Sequence, residues 1–154
     1  MEIFRKATAS DCADAFRLVC EIEKKRLPYT EFSTIFRQQL GNKQYFWLVC
    51  ESKGAVVGFL NLRCEEQLHH CSRIGEILEL VVDAAYRNQG IGKLLFDWAC
   101  QVAREQGCTQ VEGVCGQDWE DARQLYETSG MQNTHFKLTM ALDDAAEKTE
   151  AQAI

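Results

Sequence analysis

Apolar side chains recur along this chain in two rhythms, a spacing of two that marks strands and a spacing of three and four that marks helices. Over residues 2–8, Ile3, Arg5 and Ala7 alternate with Phe4 and Lys6, which predicts a first strand. Ser10 or Asp11 then caps a helix carrying Phe16, Val19, Cys20 and Glu23 towards Arg26, and Pro28 blocks its continuation. A second helix is expected over 30–40, with Phe32, Ile35, Phe36 and Gln39 on one side and Gly41-Asn42 at its end. Two β-rich runs, 45–51 and 55–64, flank the turn Ser52-Lys53-Gly54 and predict an antiparallel hairpin. The polar stretch 65–73 reads as a loop and 73–83 as a third long strand. Ile91, Leu94, Leu95, Trp98 and Val102 then keep helical spacing in a helix that Gly107 ends. A strand over 109–116 follows. Asp118 is expected to cap a helix with Ala122, Leu125, Tyr126 and Ser129 on one face, closed by Gly130, and 131–142 reads as a last strand.

The predicted order is β-α-α-β-β-β-α-β-α-β, an α+β or mixed α/β sheet domain. With 154 residues the chain makes one domain, taken as 1–142, followed by an acidic tail over 143–154 that has no apolar face. Its 23 Asp+Glu outweigh 17 Lys+Arg, for a net charge of −6, which argues against nucleic acid as the main partner. No apolar run approaches the ~20 residues of a membrane span, and MEIFRKATAS lacks the apolar stretch of a signal peptide. A cytoplasmic, reducing setting is therefore expected. The 8 cysteines fit it, because none stand in CxxC spacing and most sit inside apolar runs as free thiols.

The segment 85–93 carries the chemistry. A strand, a glycine-bearing turn and a helix make an anion site, since the free amides of the first helical turn point one way along the helix dipole. A phosphate-binding P-loop fails, with Arg87 where its first glycine belongs and Leu94 after Lys93; a dinucleotide fingerprint fails at Leu95. What remains is Arg87-Asn88-Gln89-Gly90-Ile91-Gly92 after the strand ELVVD. This string resembles the R/Q-x-x-G-x-G/A motif of the GNAT N-acetyltransferase superfamily, and ARQLYETSGM over 122–131 resembles its second signature, with Met131 in place of an aromatic. The resemblance runs from the first strand to the last and implies a central twisted, mostly antiparallel sheet flanked by about four helices. Within the superfamily, LHHCSRIGEILELVV and THFKLTMAL resemble stretches of the aminoalkylphosphonate N-acetyltransferases, which acetylate small primary amines and depend on a divalent metal.

The resemblance implies acetyl-CoA as co-substrate, held along Leu80, Val81 and Val82 and the turn Arg87, Asn88, Gln89, Gly90, Ile91, Gly92 and Lys93, with an oxyanion-binding amide near Val82. It also implies Tyr126 as proton donor to the departing CoA sulfur, although Tyr126 equally suits a core position beside Ala122 and Leu125. An alkyl ammonium must lose a proton before it attacks, and a carboxylate can take it. The resemblance implies a base at a position like Glu76, which makes Glu76 the first choice and Glu79 the second. Three apart on a strand, they point to opposite faces unless a bulge intervenes. Arg63, His69, His70 and Arg73 are candidates for an anionic substrate head group, with Lys24, Lys25 and Arg26 as further cations. His69, His70 and Cys71 lack HxH or HxxxH spacing, so no metal ligands are named. His135 has no assigned role. The expected activity is acetylation of a small-molecule amine, with a homodimer through a sheet edge in keeping. A protein N-terminal or lysine acetyltransferase and a non-catalytic acyl-CoA sensor stay open as alternatives.

Overall fold

A computed structural model describes residues 1–143, so the tail expected over 143–154 lies, from 144 onward, outside the described residues. Five strands, β1 (Glu2–Lys6), β2 (Tyr45–Ser52), β3 (Ala55–Gln67), β4 (Ser72–Val82) and β5 (Cys108–Gly113), form one sheet in sequence order. The first four pair antiparallel and β5 pairs parallel with β4. Helices α1 (Cys12–Glu23) and α2 (Tyr29–Leu40) cover one face; α3 (Ile91–Glu105) and α4 (Glu120–Thr128) lie on the other. This is the mixed sheet-and-helix architecture expected.

Strand alternation sorts the core into two layers. Trp47, Val49, Phe59 and Val81 face α1 and α2, where they meet Ala15, Leu18 and Phe36. Leu48, Leu60, Leu62 and Ile77 face α3, against Leu95, Ala99 and Val102. Each buried Leu or Phe contributes roughly 1.5–3 kcal/mol relative to exposure. The first layer is joined by an edge-on contact of Phe36 with Trp47 and a tilted one of Trp47 with Phe59, with centroids 4.8 and 4.9 Å apart.

Several boundaries moved. The expected loop at 65–73 is instead a continuation of the β3–β4 hairpin, with Glu65 through Gln67 in register with Ile74, Arg73 and Ser72 and only a short 3-10 turn at Leu68–His70. Polar residues can line both edges of a hairpin when one face meets water, so polarity alone misled. β5 stops at Gly113 rather than 116, and α4 begins after Trp119 with no side-chain cap, so Asp118 does not cap it. The predicted last strand, 131–142, is in no strand: residues 132–143 are exposed and outside the sheet.

Candidate active site

The site is built where β4 loses its second neighbour. Pairing with β5 ends at Ile77 and Gly113, whereas β4 continues to Val82 against β3 alone, so the two parallel strands fork. On the β3 side Leu62 pairs with Ile77 and Asn61 with Glu79, leaving Leu78 as the extra residue of a bulge. That bulge settles the question of the two carboxylates. It shifts the alternation by one, so Glu76 opposite Arg63 and Glu79 opposite Asn61 both lie on the α1/α2 face.

Their surroundings differ. Arg63 Nη2 donates to Glu76 Oε2 at 2.7 Å and also reaches Glu65 at 3.3 Å. Glu79 pairs with no cation among the described residues; Asn61 Nδ2 donates to its Oε2 at 2.9 Å. Burial raises the Glu79 pKa above the ordinary carboxylate range, the Asn61 bond partly opposes this, and the nearby Glu23 carboxylate adds to the rise. Asn61 is wholly buried and also donates to Gln39 Oε1, which in turn accepts from Trp47 Nε1 at 3.0 Å. Sequence reading missed this relay from α2 to Glu79. Its signal was an Asn inside the apolar run GFLNLRC, since a polar side chain is buried at such a place only with partners.

Tyr126 is buried on the opposite face. A Cβ added at Gly113 would stand 3.7 Å from its Cζ and 3.8 Å from Ile77 Cβ, so the phenol end sits at the fork itself. Burial pushes its pKa well above the usual phenol value, and its hydroxyl makes no hydrogen bond among the described residues. It is therefore a protonated phenol with its donor uncommitted.

Beyond Val82 the chain is tied down before the glycine turn. Asp83 N–H donates to Val57 O, the Asp83 carboxylate accepts from Ala85 N–H and from Arg17 at 2.9 Å, and Arg87 Nε donates to Val82 O. Gly90 enters α3 with φ of +84°, where a side chain would be strained, and no side chain caps the helix. Gly92 lets α4 close in, since a Cβ there would meet Leu125 Cδ2 at 3.2 Å. The uncapped amides of residues 91–93 point away from the helix beside the fork, and no Cβ at Gly90 screens them. This arrangement offers uncapped amides at the helix start and an open strand edge leading to the fork. Lys93 pairs with Asp97 one turn on and lies over the Phe96 ring.

The remaining candidates separate. His70 Nε2 lies 3.0 Å from Glu112 on β5, opposite Glu76, and the His69 ring packs against that of His70 at a tilt, centroids 4.2 Å apart. Arg73 falls on the other face, paired with Glu66, away from Arg63. Lys24, Lys25 and Arg26 form the exposed α1–α2 connection close to Glu23. Among the described residues no three His, Cys, Asp or Glu side chains are placed to hold a metal ion, so no step below runs through one. No helix among them is long and apolar enough to cross a membrane.

The profile of the acetyltransferase (GNAT) family fits residues 11–131, which span all of these site elements. The chain belongs to the GNAT acetyltransferase family. It is thus an N-acetyltransferase of GNAT type, a family whose acyl donor is acetyl-CoA. Among similar sequences, an aminoalkylphosphonate N-acetyltransferase of Salmonella typhimurium is 36% identical over 138 residues, 90% of each chain. A probable glucosamine 6-phosphate N-acetyltransferase of Drosophila melanogaster is 32% identical over 56% of this chain and 41% of its own. Solved structures of this GNAT fold include one described as a transcriptional regulator from Bacillus halodurans, with TM-score 0.84, 24% identity, and coverage of 92% of this chain and 100% of that one. A glucosamine-6-phosphate N-acetyltransferase from Arabidopsis thaliana superposes with TM-score 0.77 at 22% identity, over 93% and 99% of the two chains.

Proposed function

We propose that this GNAT enzyme transfers the acetyl group of acetyl-CoA directly to the primary amine of a small, anionic, aminoalkylphosphonate-like substrate in the cytoplasm. The observation that carries the reading is the fork with a cation-free carboxylate on one face and an uncommitted phenol on the other. Amides 91–93 and the charges of Arg87 and Lys93 hold the diphosphate, while the edge of Leu80, Val81 and Val82 aligns the thioester so that its carbonyl enters the fork. Glu79 takes the ammonium proton, the amine nitrogen bonds the acetyl carbon, and a main-chain amide near Val82 holds the oxyanion. The C–S bond then breaks, Tyr126 gives its proton to the thiolate sulfur, and the second proton of the amine nitrogen passes to the Tyr126 phenolate, leaving a neutral amide and a free thiol. Glu79 replaces Glu76 as first choice because Glu76 is already bonded to Arg63, a bond that protonation would break.

The anionic head group is supported by the name of the Salmonella relative, by the basic connection Lys24-Lys25-Arg26 next to Glu23, and by Arg63 and His70 on the same face as Glu76. Mass spectrometry of products from acetyl-CoA with aminoalkylphosphonates, polyamines, amino acids and Lys peptides, each with and without divalent cations, tests it. Acetylated aminoalkylphosphonate is the expected product. Preferential acetylation of peptides would refute the substrate class, and acetyl-CoA binding without transfer to any amine would make the protein an acyl-CoA sensor.

A further inference from the structure

A wholly buried amide has two N–H donors and one oxygen that cannot turn to water, and Asn61 on β3 is such a group. Both donors are used. Nδ2 gives one hydrogen to Glu79 Oε2 and the other to Gln39 Oε1, each at 2.9 Å. Partners decide which way an amide faces, and here the decision starts away from Glu79. The buried indole of Trp47 is a donor only, and its Nε1–H meets Gln39 Oε1 at 3.0 Å. Gln39 must therefore turn its oxygen, not its NH2 group, to that point, and the same oxygen faces Asn61. Asn61 must then present Nδ2, because its Oδ1 in that place would stand against the oxygens of both Gln39 and Glu79. Orientation thus passes from β2 through α2 to β3 and ends on Glu79 of β4. Asn61 Oδ1 is left buried with no partner among the described residues, so the amide gains nothing on that side from facing as it does.

We propose that Gln39 is a positioning residue for the transfer reaction: by fixing the Asn61 amide it commits a donor to Glu79 Oε2 and leaves Oε1 as the atom that takes the ammonium proton. This assignment rests on the proton-accepting role given to Glu79 above. The hydrogen bonds of Gln39 reach Trp47 and Asn61 and stop short of Glu79, so it acts through Asn61. Without Gln39 the Asn61 amide is free to turn over. With Oδ1 towards Glu79 it would accept a hydrogen from the protonated carboxyl as well as Nδ2 donates to the carboxylate. Gln39 removes that option, and the network then favours the charged base alone. Burial and Glu23 push the Glu79 pKa up, and the Asn61 bond opposes the rise. The charge that reaches Glu79 from α1 is that of Glu23; the sheet adds the Arg63–Glu76 pair farther along the same face, and α2 brings Gln39, which is neutral.

Gln39→Met keeps the length of the side chain and removes the acceptor, Gln39→Asn draws the oxygen back by one methylene should the first variant fold poorly, and Gln38→Met at the exposed neighbouring position is the control. Two readouts are taken on the full chain: kcat/KM for amine acetylation from pH 5 to 9, and the carbon-13 titration of the Glu79 carboxyl, whose resonance is the one missing from the Glu79→Gln spectrum. In Gln39→Met the Glu79 midpoint and the acidic limb of the rate should move up together by about one pH unit, the size of a weakened hydrogen bond to a charged group. On that limb kcat/KM should fall about tenfold, with the gap narrowing towards pH 9, while Gln38→Met matches wild type in both readouts. An unmoved Glu79 midpoint, with a rate loss equal at every pH, overturns the proposal at Gln39 itself and leaves that residue to packing alone. A midpoint that moves while the acidic limb stays, or transfer to no amine at all, overturns it instead through the reading of Glu79 as the base.

Discussion

Replacing Glu79 by Gln separates catalysis from stability, because the two move in opposite directions. The substitution keeps the size of the side chain and an oxygen for Asn61 Nδ2, which donates at 2.9 Å, and removes only the ability to take a proton. A positioned general base contributes roughly 10²–10⁴-fold, so kcat/KM at pH 8 should fall by about that factor, or ~3–5 kcal/mol of transition-state stabilisation. The stability effect follows from the raised pKa, whose main cause is burial. A group whose folded pKa lies above its unfolded value favours folding fully below the unfolded value, about 4.3 for Glu, and loses that contribution as pH rises through the folded value. Above the folded value the wild-type protein must hold a half-buried carboxylate with no cation beside it among the described residues, whereas the amide of the Glu79→Gln variant carries no charge. The variant should melt higher than wild type at pH 8, and the difference should shrink towards pH 4. The assays are product formation by mass spectrometry from pH 5 to 9 and thermal melts at pH 4 and pH 8. In wild type the acidic limb of the rate profile should lie above the ordinary carboxylate pKa, and it should vanish in the residual activity of the variant. Activity within about threefold of wild type, or a lower melting temperature at pH 8, would refute the assignment. Glu76→Gln is the control: it loosens Arg63, which keeps Glu65 at 3.3 Å, and should leave the acidic limb in place.

Tyr126→Phe removes a hydroxyl that bonds nothing among the described residues. Turnover should fall by about 10²-fold or more while the melting temperature stays level and acetyl-CoA affinity by calorimetry is unchanged; undiminished turnover would return Tyr126 to a packing role. Gly90→Ala meets no atom within 4 Å, so its cost is conformational, about 1–2 kcal/mol for a side chain at φ of +84°. It should lower the melting temperature by several degrees and weaken acetyl-CoA binding, and an unchanged melting temperature would mean that the turn adopts another conformation.

Local chemistry wrote much of this protein plainly. The alternation of 45–51 and 55–64 around Lys53-Gly54, the three-four spacing from Ile91 to Val102, and the stops at Gly107 and Gly130, both with positive φ, depend on neighbours a few residues away, and they hold in the structure. So does the glycine turn that leads from β4 to the start of α3, because an uncapped helix start is a local object. The tertiary structure decided the rest. Periodicity puts Glu76 and Glu79 on opposite faces unless a bulge intervenes, and the bulge at Leu78 is set by pairing with β3, a strand whose partner residue Asn61 is 18 positions away. The Asn61–Gln39–Trp47 relay joins three elements that no spacing relates. Arg63 and Arg73 look equivalent in the chain and are divided between faces by the β3–β4 register. The alternation of 135–142 has the pattern of a strand, yet pairing is a property of two strands, and the chain alone cannot say which edge an amphipathic segment will meet.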